Sequence, residues 1–223
     1  MLEAFISWSG GKDSCLAYYH ATTNGVKGSY LLNMLTEDGK RSRSHGISTD
    51  WLQMQSKAIG IPMHHRETSW SDYETEFKKA LVSYKDSGIG TGVFGDIDLE
   101  GHREWVERVC FDCDVIPLLP LWQKNQEQVL KEFINAGFTA IVVATKANLL
   151  DEEWLGREVD LKFVKDLSKK GTDISLCGEA GEYHTFVIDG PLFKEKIRII
   201  EAKKVLRDDH WFLDINRCEL IPK

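Results

Sequence analysis

Through the first two thirds of the chain, short continuous apolar runs alternate with stretches whose apolar residues recur at helical spacing. That alternation predicts a parallel sheet with crossover helices. Ala4-Phe5-Ile6-Ser7-Trp8 reads as a buried first strand, Ser9 to Lys12 breaks it, and Cys15, Leu16, Tyr19 and His20 then follow a helical period until Asn24-Gly25. Further strands are expected at Tyr30 to Leu35, Pro62 to Arg66, Gly92 to Gly95, Val115 to Leu119 and Ala140 to Ala144. Helices are expected at Asp50 to Ile59, Ser71 to Tyr84, Glu104 to Cys113 and Gln126 to Asn135. Because the strand runs are continuous rather than alternating, each strand is expected to be buried on both faces.

The last quarter changes character. A polar helix near Leu161 to Ser168 precedes a Gly- and Glu-rich loop, and Lys196 to Val205 and His210 to Leu220 read as two strands joined at Arg207-Asp208-Asp209. The expected organisation is therefore an α/β fold with a parallel sheet of five or more strands and a smaller C-terminal α+β region. The boundary is placed near residue 145, giving an ATP-binding part at 1–145 and a substrate-binding part at 146–223, as argued below. No internal repeat or low-complexity tract is visible.

Ser9-Gly10-Gly11-Lys12-Asp13-Ser14 lies where the first strand turns into a helix. The first helical N–H groups have no intrahelical partner and the dipole is positive there, so the turn is a natural phosphate site. Two glycines allow close backbone approach, Ser9 and Ser14 add hydroxyls, Lys12 adds charge, and Asp13 is a candidate ligand for Mg2+. A plain strand-to-helix junction would use Ser and Asp as caps but would not require Lys12 and both serines. The spacing is not that of a Walker loop. It resembles the Ser-Gly-Gly-x-Asp-Ser signature of the PP-loop ATP pyrophosphatases, a superfamily that includes GMP synthetase and asparagine synthetase domains and cleaves ATP to AMP and pyrophosphate. That resemblance implies a sheet of the adenine-nucleotide-hydrolase type, with adenine against the end of the second strand near Leu32 and Met34.

A second concentration of chemistry is Cys177-Gly178-Glu179-Ala180-Gly181-Glu182-Tyr183-His184-Thr185-Phe186, followed by Asp189-Gly190-Pro191-Leu192-Phe193. Glu179 and Glu182 are suited to holding Mg2+, binding an amine or acting as a base, and a solvated surface turn is the competing reading. Paired with the first motif, this segment resembles the diphthine-ammonia ligase family, and Pro120-Leu121-Trp122, the Gly137 to Val143 segment and Trp154-Leu155-Gly156-Arg157 match its layout. The resemblance implies that ATP adenylates a carboxylate and ammonia displaces AMP, turning diphthine on elongation factor 2 into diphthamide. It implies Lys12, Asp13, Glu179, Glu182 and His184 as catalytic residues and Ser9 to Ser14 as the phosphate cradle. Gly178, Gly181, Thr185, Asp96, Asp98 and Arg103 are the weaker substrate candidates.

Three departures bear on the substrate. His184 stands where diphthamide-forming members usually carry Glu, Asp96 and Asp98 stand where they have small neutral residues, and Trp105 replaces an Arg although Arg103 matches. These resemble a bacterial branch with a proposed role near cobalamin salvage, so a corrinoid-related or other small-molecule carboxylate is the alternative acceptor. A module that binds ATP without consuming it is the alternative from another class.

Ser44-His45-Gly46 and Lys146 are weak candidates for the nucleotide's surroundings, and His102 for contact with phosphate or acyl group. Cys110-x-x-Cys113 has no second pair and lies on an apolar helical face, which favours packing over metal or redox chemistry.

With 223 residues, 42% hydrophobic and 28% charged, the composition is that of an ordinary globular protein. The net charge of −7 argues against a nucleic-acid-gripping protein and disfavours a tRNA-modifying role. Five cysteines, an odd number scattered among apolar neighbours, fit a reducing compartment. No run approaches a membrane span, and no basic leader is seen, so a cytoplasmic protein is expected. The expected partners are ATP, ammonia and the carboxylate substrate, without membrane or nucleic acid; a homo-oligomer is allowed.

Overall fold

The computed structural model describes residues 1–171 and 174–223. Its first part alternates strand and helix: β1 (Leu2–Ser7), α1 (Lys12–Thr23), β2 (Val26–Leu35), α2 (Thr49–Ile59), β3 (Met63–Glu67), α3 (Tyr73–Asp86), β4 (Thr91–Val93), α4 (Glu100–Asp112) and β5 (Ile116–Leu118). These strands form a five-stranded parallel sheet in the order β3-β2-β1-β4-β5. The chain runs outward from β1 to β3, then crosses back to start β4 on the other side of β1. The C-terminal ends of β1 and β4 therefore diverge at a topological switch point, the place where open α/β sheets bind ligands.

β1 is central because its Ala4, Phe5 and Ile6 are fully buried. Phe5 stacks on Tyr84 of α3 at 4.9 Å between ring centroids and meets Phe94 edge-on at 6.0 Å. Side chains of this size stabilise by about 1.5–3 kcal/mol each when removed from water. The expectation that every strand is buried on both faces fails at β3 and β5. Both are edge strands, and their polar or exposed residues, such as His64 and Ile116, face solvent.

The rest of the chain adds α5 (Gln126–Asn135), β6 (Thr139–Lys146), a 3-10 turn at Glu152–Trp154, α6 (Leu161–Ser168), β7 (Tyr183–Asp189), β8 (Glu195–Arg207) and β9 (His210–Pro222). A four-stranded antiparallel sheet has the order β7-β6-β9-β8. The strand expected at Ala140 to Ala144 is therefore β6 of this second sheet and not a member of the parallel one. A continuous β-branched run reports burial on both faces, and here that burial is antiparallel. β7 occupies a segment read from the sequence as loop, because the preceding glycines and glutamates mask the Tyr-His-Thr-Phe-Val-Ile run.

One core runs through both sheets, joining Cys15 and Leu16 of α1 and Leu52 of α2 to Val142, Phe186 and Val187 of the second sheet. At its polar centre sits Gln55, fully buried on α2. Gln55 Oε1 accepts from the Trp8 indole at 2.9 Å, while its Nε2 donates to the Gly10 carbonyl at 2.9 Å and the Val187 carbonyl at 2.7 Å. One amide thus joins the end of β1, the following turn and β7. No helix among the described residues is long and apolar enough to cross a membrane.

Gln55→Leu keeps the volume but takes their side-chain partner from the Trp8 indole and the Val187 carbonyl, while the Gly10 carbonyl keeps the Val187 amide; each buried group left unsatisfied costs about 1–3 kcal/mol. Urea unfolding should show a loss of roughly 2–5 kcal/mol; a loss below about 1 kcal/mol would contradict this role.

Candidate active site

β1 ends in a turn that needs its glycines. Gly10 has φ +83°, and a Cβ there would stand 2.8 Å from Leu52 Cδ2; one at Gly11 would stand 2.6 Å from His45 Cε1. The Gly11 amide donates to Ser9 Oγ at 3.2 Å, the Ser9 and Ser14 hydroxyls lie 3.2 Å apart, and Ser14 Oγ donates to the Gly11 carbonyl at 3.1 Å. The Lys12 amide donates to Thr185 Oγ1 at 3.0 Å, so Thr185 caps α1 from the second sheet. The next first-turn amides, of Asp13 and Ser14, remain as donors for an anion. Gly95, just after β4, keeps that place open, since a Cβ there would stand 2.9 Å from both Asp13 C and Ser14 N.

Lys12 joins this turn to the second motif. Its side chain is almost fully buried, and Nζ donates to Asp13 Oδ2 at 2.9 Å and to the Cys177 carbonyl at 2.5 Å, lying 5.1 Å from the centroid of the Tyr183 ring. The Val187 amide adds a bond to the Gly10 carbonyl at 3.0 Å. The loop before β7 is shaped from within by Glu182, only 3% exposed. Its carboxylate accepts from the Ser175 amide at 2.8 Å, the Ser175 hydroxyl at 3.3 Å and the Ala180 amide at 3.0 Å. The Glu179 amide in turn donates to Ser175 Oγ at 2.7 Å. Gly178 and Gly181 take φ of +72° and +77°, which the turn requires.

These elements enclose a polar cleft of about 300 Å³, with Lys12, Asp13, Asp96, His102, Glu179 and His184 among its walls. Its charges are strongly shifted. Burial, then the charge of Asp13, pushes the Glu179 carboxyl up to about 7, with Lys12 pulling the other way. Burial also raises Asp13 against the pull of Lys12. For Lys12 the burial penalty is overcome by the negative charge of Asp13, and its ammonium is held more firmly protonated than usual. Burial pushes His45 down to about 4 and His184 well below its ordinary value; the two rings stack 4.4 Å apart, both neutral near pH 7. Hydrogen bonding to Asp96, 3.4 Å from Nδ1, raises His102.

Asp13 Oδ1 is buried without a hydrogen-bond partner. Such an atom calls for a cation or a donor supplied by a ligand. Together with Asp96 across the cleft it suits Mg2+, which uses one or two carboxylates and completes its shell with phosphates and water. No cluster of three or more His, Cys, Asp or Glu suited to a metal exists among the described residues, so the protein alone offers no full cage.

The structure thus brings together Lys12 and Asp13 of the first turn, Asp96, Gly178, Glu179, His184 and Thr185, along with the weaker candidates Ser44, His45 and His102, while Ser9, Gly10, Gly11 and Ser14 form the turn beneath them. Other expected residues lie elsewhere. Glu182 faces into its own loop and cannot act on a substrate. Leu32 and Met34 have buried side chains in the core beneath the sheet, and their carbonyls accept from the Trp8 and Arg43 amides. Asp98 Oδ2 accepts from Gln126 Nε2 at 2.7 Å and reaches the cleft only through its field on Glu179. Arg103 pairs with Glu107 at 2.6 Å and lies over Trp122. Gly181 is not among the cleft's walls, although a Cβ there would stand 3.9 Å from Lys146 Nζ and 4.0 Å from His184 Nε2. Cys110 is buried in the α3/α4 core, where burial pushes its thiol up to about 12, and Cys113 Sγ points to the Lys78 carbonyl. Tyr73, Gly95, Gln55 and Tyr183 were not singled out from sequence; each is an ordinary helix, turn or core residue until the tertiary structure places it.

Comparison with known proteins gives a consistent picture. Residues 2–117 match the family described as diphthamide synthase N-terminal domain, and residues 125–221 match the diphthamide synthase C-terminal domain. The diphthine-ammonia ligase of Rattus norvegicus is 30% identical over 233 residues, covering 93% of this chain and 86% of its own length. The enzymes of that name from Bos taurus and Homo sapiens are also 30% identical, over 224 and 232 residues, covering 89% and 93% of this chain and 82% and 86% of their own. A solved structure titled as a predicted subunit of tRNA methyltransferase from Methanocaldococcus jannaschii aligns at TM-score 0.45 and 13% identity, covering 86% of this chain and 98% of that one. A likeness that loose bears on neither fold nor function.

The neutral histidine pair sets a pH dependence. His45 titrates at about 4 when folded and at its ordinary 6.5 when unfolded, so between these values the unfolded chain binds more protons. Its contribution is complete above pH 6.5 and is lost as pH falls toward 4; His184, shifted the same way, adds to the loss. Urea unfolding across this window should show stability falling with acidification, less steeply in His45→Asn. An equal slope in the variant would contradict the assignment.

Proposed function

Because the chain belongs to the diphthine-ammonia ligase family, we propose that it is an ATP-dependent ligase that adenylates a carboxylate and transfers the acyl group to ammonia, forming AMP and pyrophosphate. The observation that carries this reading is the shared cleft: a phosphate-binding turn and a carboxyl group titrating at about 7 are held around one buried lysine. The division of labour follows the sheets, with the parallel sheet holding ATP and the second sheet supplying the acceptor side, so that β6 joins the latter.

The proposed phosphate site is the turn from Ser9 to Ser14. A carboxylate oxygen of the acceptor attacks the α-phosphorus, the bond to the bridging oxygen breaks, and pyrophosphate leaves toward Lys12, whose fixed positive charge stabilises it. Asp13 and Asp96 would hold Mg2+, which when bound neutralises phosphate charge. Ammonia then attacks the acyl carbon, AMP departs, and Glu179 in its carboxylate form takes the proton released from nitrogen. Gly178 and Thr185 shape this edge, and Glu182 positions the loop.

The acceptor is diphthine, as in the name of the relatives, or a small-molecule carboxylate such as a corrinoid acid. His184 favours the second, because a neutral imidazole stacked on His45 presents a different wall from the Glu of diphthamide-forming members. The nitrogen source is proposed to be free ammonia.

Incubating the protein with ATP, Mg2+, ammonium and each acceptor in turn should give acceptor-dependent AMP and pyrophosphate. Lys12→Ala should lower the rate by about 10²–10³-fold, the usual cost of one preorganised donor to developing charge. ADP as product, or full turnover by Lys12→Ala, would overturn the reading.

The pH profile offers a separate check. Activity should rise with pH through about 7 as Glu179 loses its proton. Glu179→Gln should retain acceptor-dependent exchange of labelled pyrophosphate into ATP while losing amide formation; loss of both together would remove Glu179 from the second step.

A further inference from the structure

One side chain that is not among the walls of the polar cleft holds two of its loops together. Gln126 opens α5, and the start of that helix is fixed by its N-cap, where the Gln128 amide donates to Asn125 Oδ1 at 3.1 Å. From there the Gln126 side chain spans the gap between the loop after β4 and the loop before β7. Its Nε2 donates to Asp98 Oδ2 at 2.7 Å, and its Oε1 accepts from the Cys177 amide at 2.9 Å. The carboxylate of Asp98 accepts and does not donate, so it draws the NH2 end of Gln126 to itself and leaves the oxygen for Cys177.

Cys177 is held at every polar atom it has. Gln126 takes its amide through Oε1 and its thiol through the main-chain carbonyl, 3.4 Å from Sγ, while the Cys177 carbonyl accepts from Lys12 Nζ. Burial raises the thiol far above its ordinary value and keeps it a donor. The Cys177 carbonyl shares a planar peptide unit with the Gly178 amide, which donates to the Ser175 carbonyl at 3.0 Å. With the amides on both sides of it bound, that carbonyl has its direction set before Lys12 reaches it. The Lys12 ammonium carries three N–H donors. Asp13 Oδ2 and the Cys177 carbonyl take two of them, and their positions determine where the third one points.

Resting on the ATP-dependent reading above, we infer that Gln126 is a positioning residue for Lys12: by holding the Cys177 amide it aims the Cys177 carbonyl at the ammonium, and so fixes the direction of the N–H that meets the leaving pyrophosphate. The effect is indirect, since Gln126 itself is not among the cleft's walls. Without the Gln126 oxygen, the Cys177 amide is left to seek another acceptor in a place where Cys177 is only 2% exposed, and the peptide that carries the carbonyl turns with it.

The test follows acceptor-dependent exchange of labelled pyrophosphate into ATP by the full chain with Mg2+, using diphthine-bearing elongation factor 2 and a corrinoid acid in turn as acceptors. Gln126→Leu should lower the rate by at least about 10-fold, the usual cost of losing a partner that supports a reactive group. In a Lys12→Ala background the same change should cost less than about 3-fold, because the group it positions is gone, whereas a merely structural role would cost the same in both backgrounds. Gln126→Glu keeps an acceptor for the Cys177 amide, and the exposed Asp98 is free to turn away, so this variant should stay within about 3-fold of the wild type. Gln126→Ala, which removes the same oxygen with less bulk, carries the expectation of Gln126→Leu if the latter does not fold. Full exchange by the variant that lacks the oxygen, an equal loss in both backgrounds, or a loss in Gln126→Glu as large as in that variant would overturn the positioning role while leaving the ligase reading standing. No exchange by the wild type with either acceptor would overturn the ATP reading itself, and this inference with it.

Discussion

A buried ammonium holds this molecule's two halves in register. Removing a lysine side chain from water costs several kcal/mol unless its donors are satisfied, and Lys12 finds its acceptors on both sides of the chain: Asp13 beside it and the Cys177 carbonyl 165 residues away. The loop before β7 therefore cannot leave the first turn of α1 without stranding a charge. Thr185, which caps the helix, and Gln55, which binds Gly10 and Val187 together, place the same constraint on the backbone. Glu179 reaches the cleft only because its loop is pinned in this way, with Glu182 folding the loop about its own carboxylate.

The electrostatics follow from that placement. Asp13, Asp96 and Glu179 converge on a site where Lys12 is the principal opposing charge, with the field of Asp98 added from outside it, and the shortfall appears as a carboxyl group titrating near neutrality and a buried oxygen without a partner. Both features suit a site that receives a metal-bound polyphosphate. On the opposite wall, burial keeps His45 and His184 neutral, so that side of the cleft carries shape rather than charge.

Much of this was readable in advance, for reasons specific to each segment. The first turn announces itself because every residue from Ser9 to Ser14 has a local reason to be there, and β1 is unmistakable as a continuous apolar run. The strand at Ala140 to Ala144 was readable as a strand but not by its sheet, since burial on both faces looks the same in parallel and antiparallel surroundings. β7 was hidden by the glycines and glutamates that precede it. Among the site residues, Glu179 and Glu182 are indistinguishable in sequence; which one faces the cleft depends on the φ > 0 turns at Gly178 and Gly181. Leu32 and Met34 are strand residues whose side chains the core consumes. The cavity lined by Trp70, Tyr73, Phe77, Phe94 and Trp105 draws one ring from a loop, two from α3, one from after β4 and one from α4, and no local pattern reports such a convergence.

The claim that Lys12 couples the two motifs is tested most directly by hydrogen exchange in Lys12→Met, which keeps the length of the side chain and removes its charge. The Ser175, Glu179 and Ala180 amides, bonded within the loop that carries Cys177, should lose protection by at least about 10-fold, corresponding to roughly 1.4 kcal/mol of local stability. Amides of the β8–β9 hairpin should be unaffected. Unchanged protection in the loop would show that it holds its place without Lys12, and the coupling described here would be wrong.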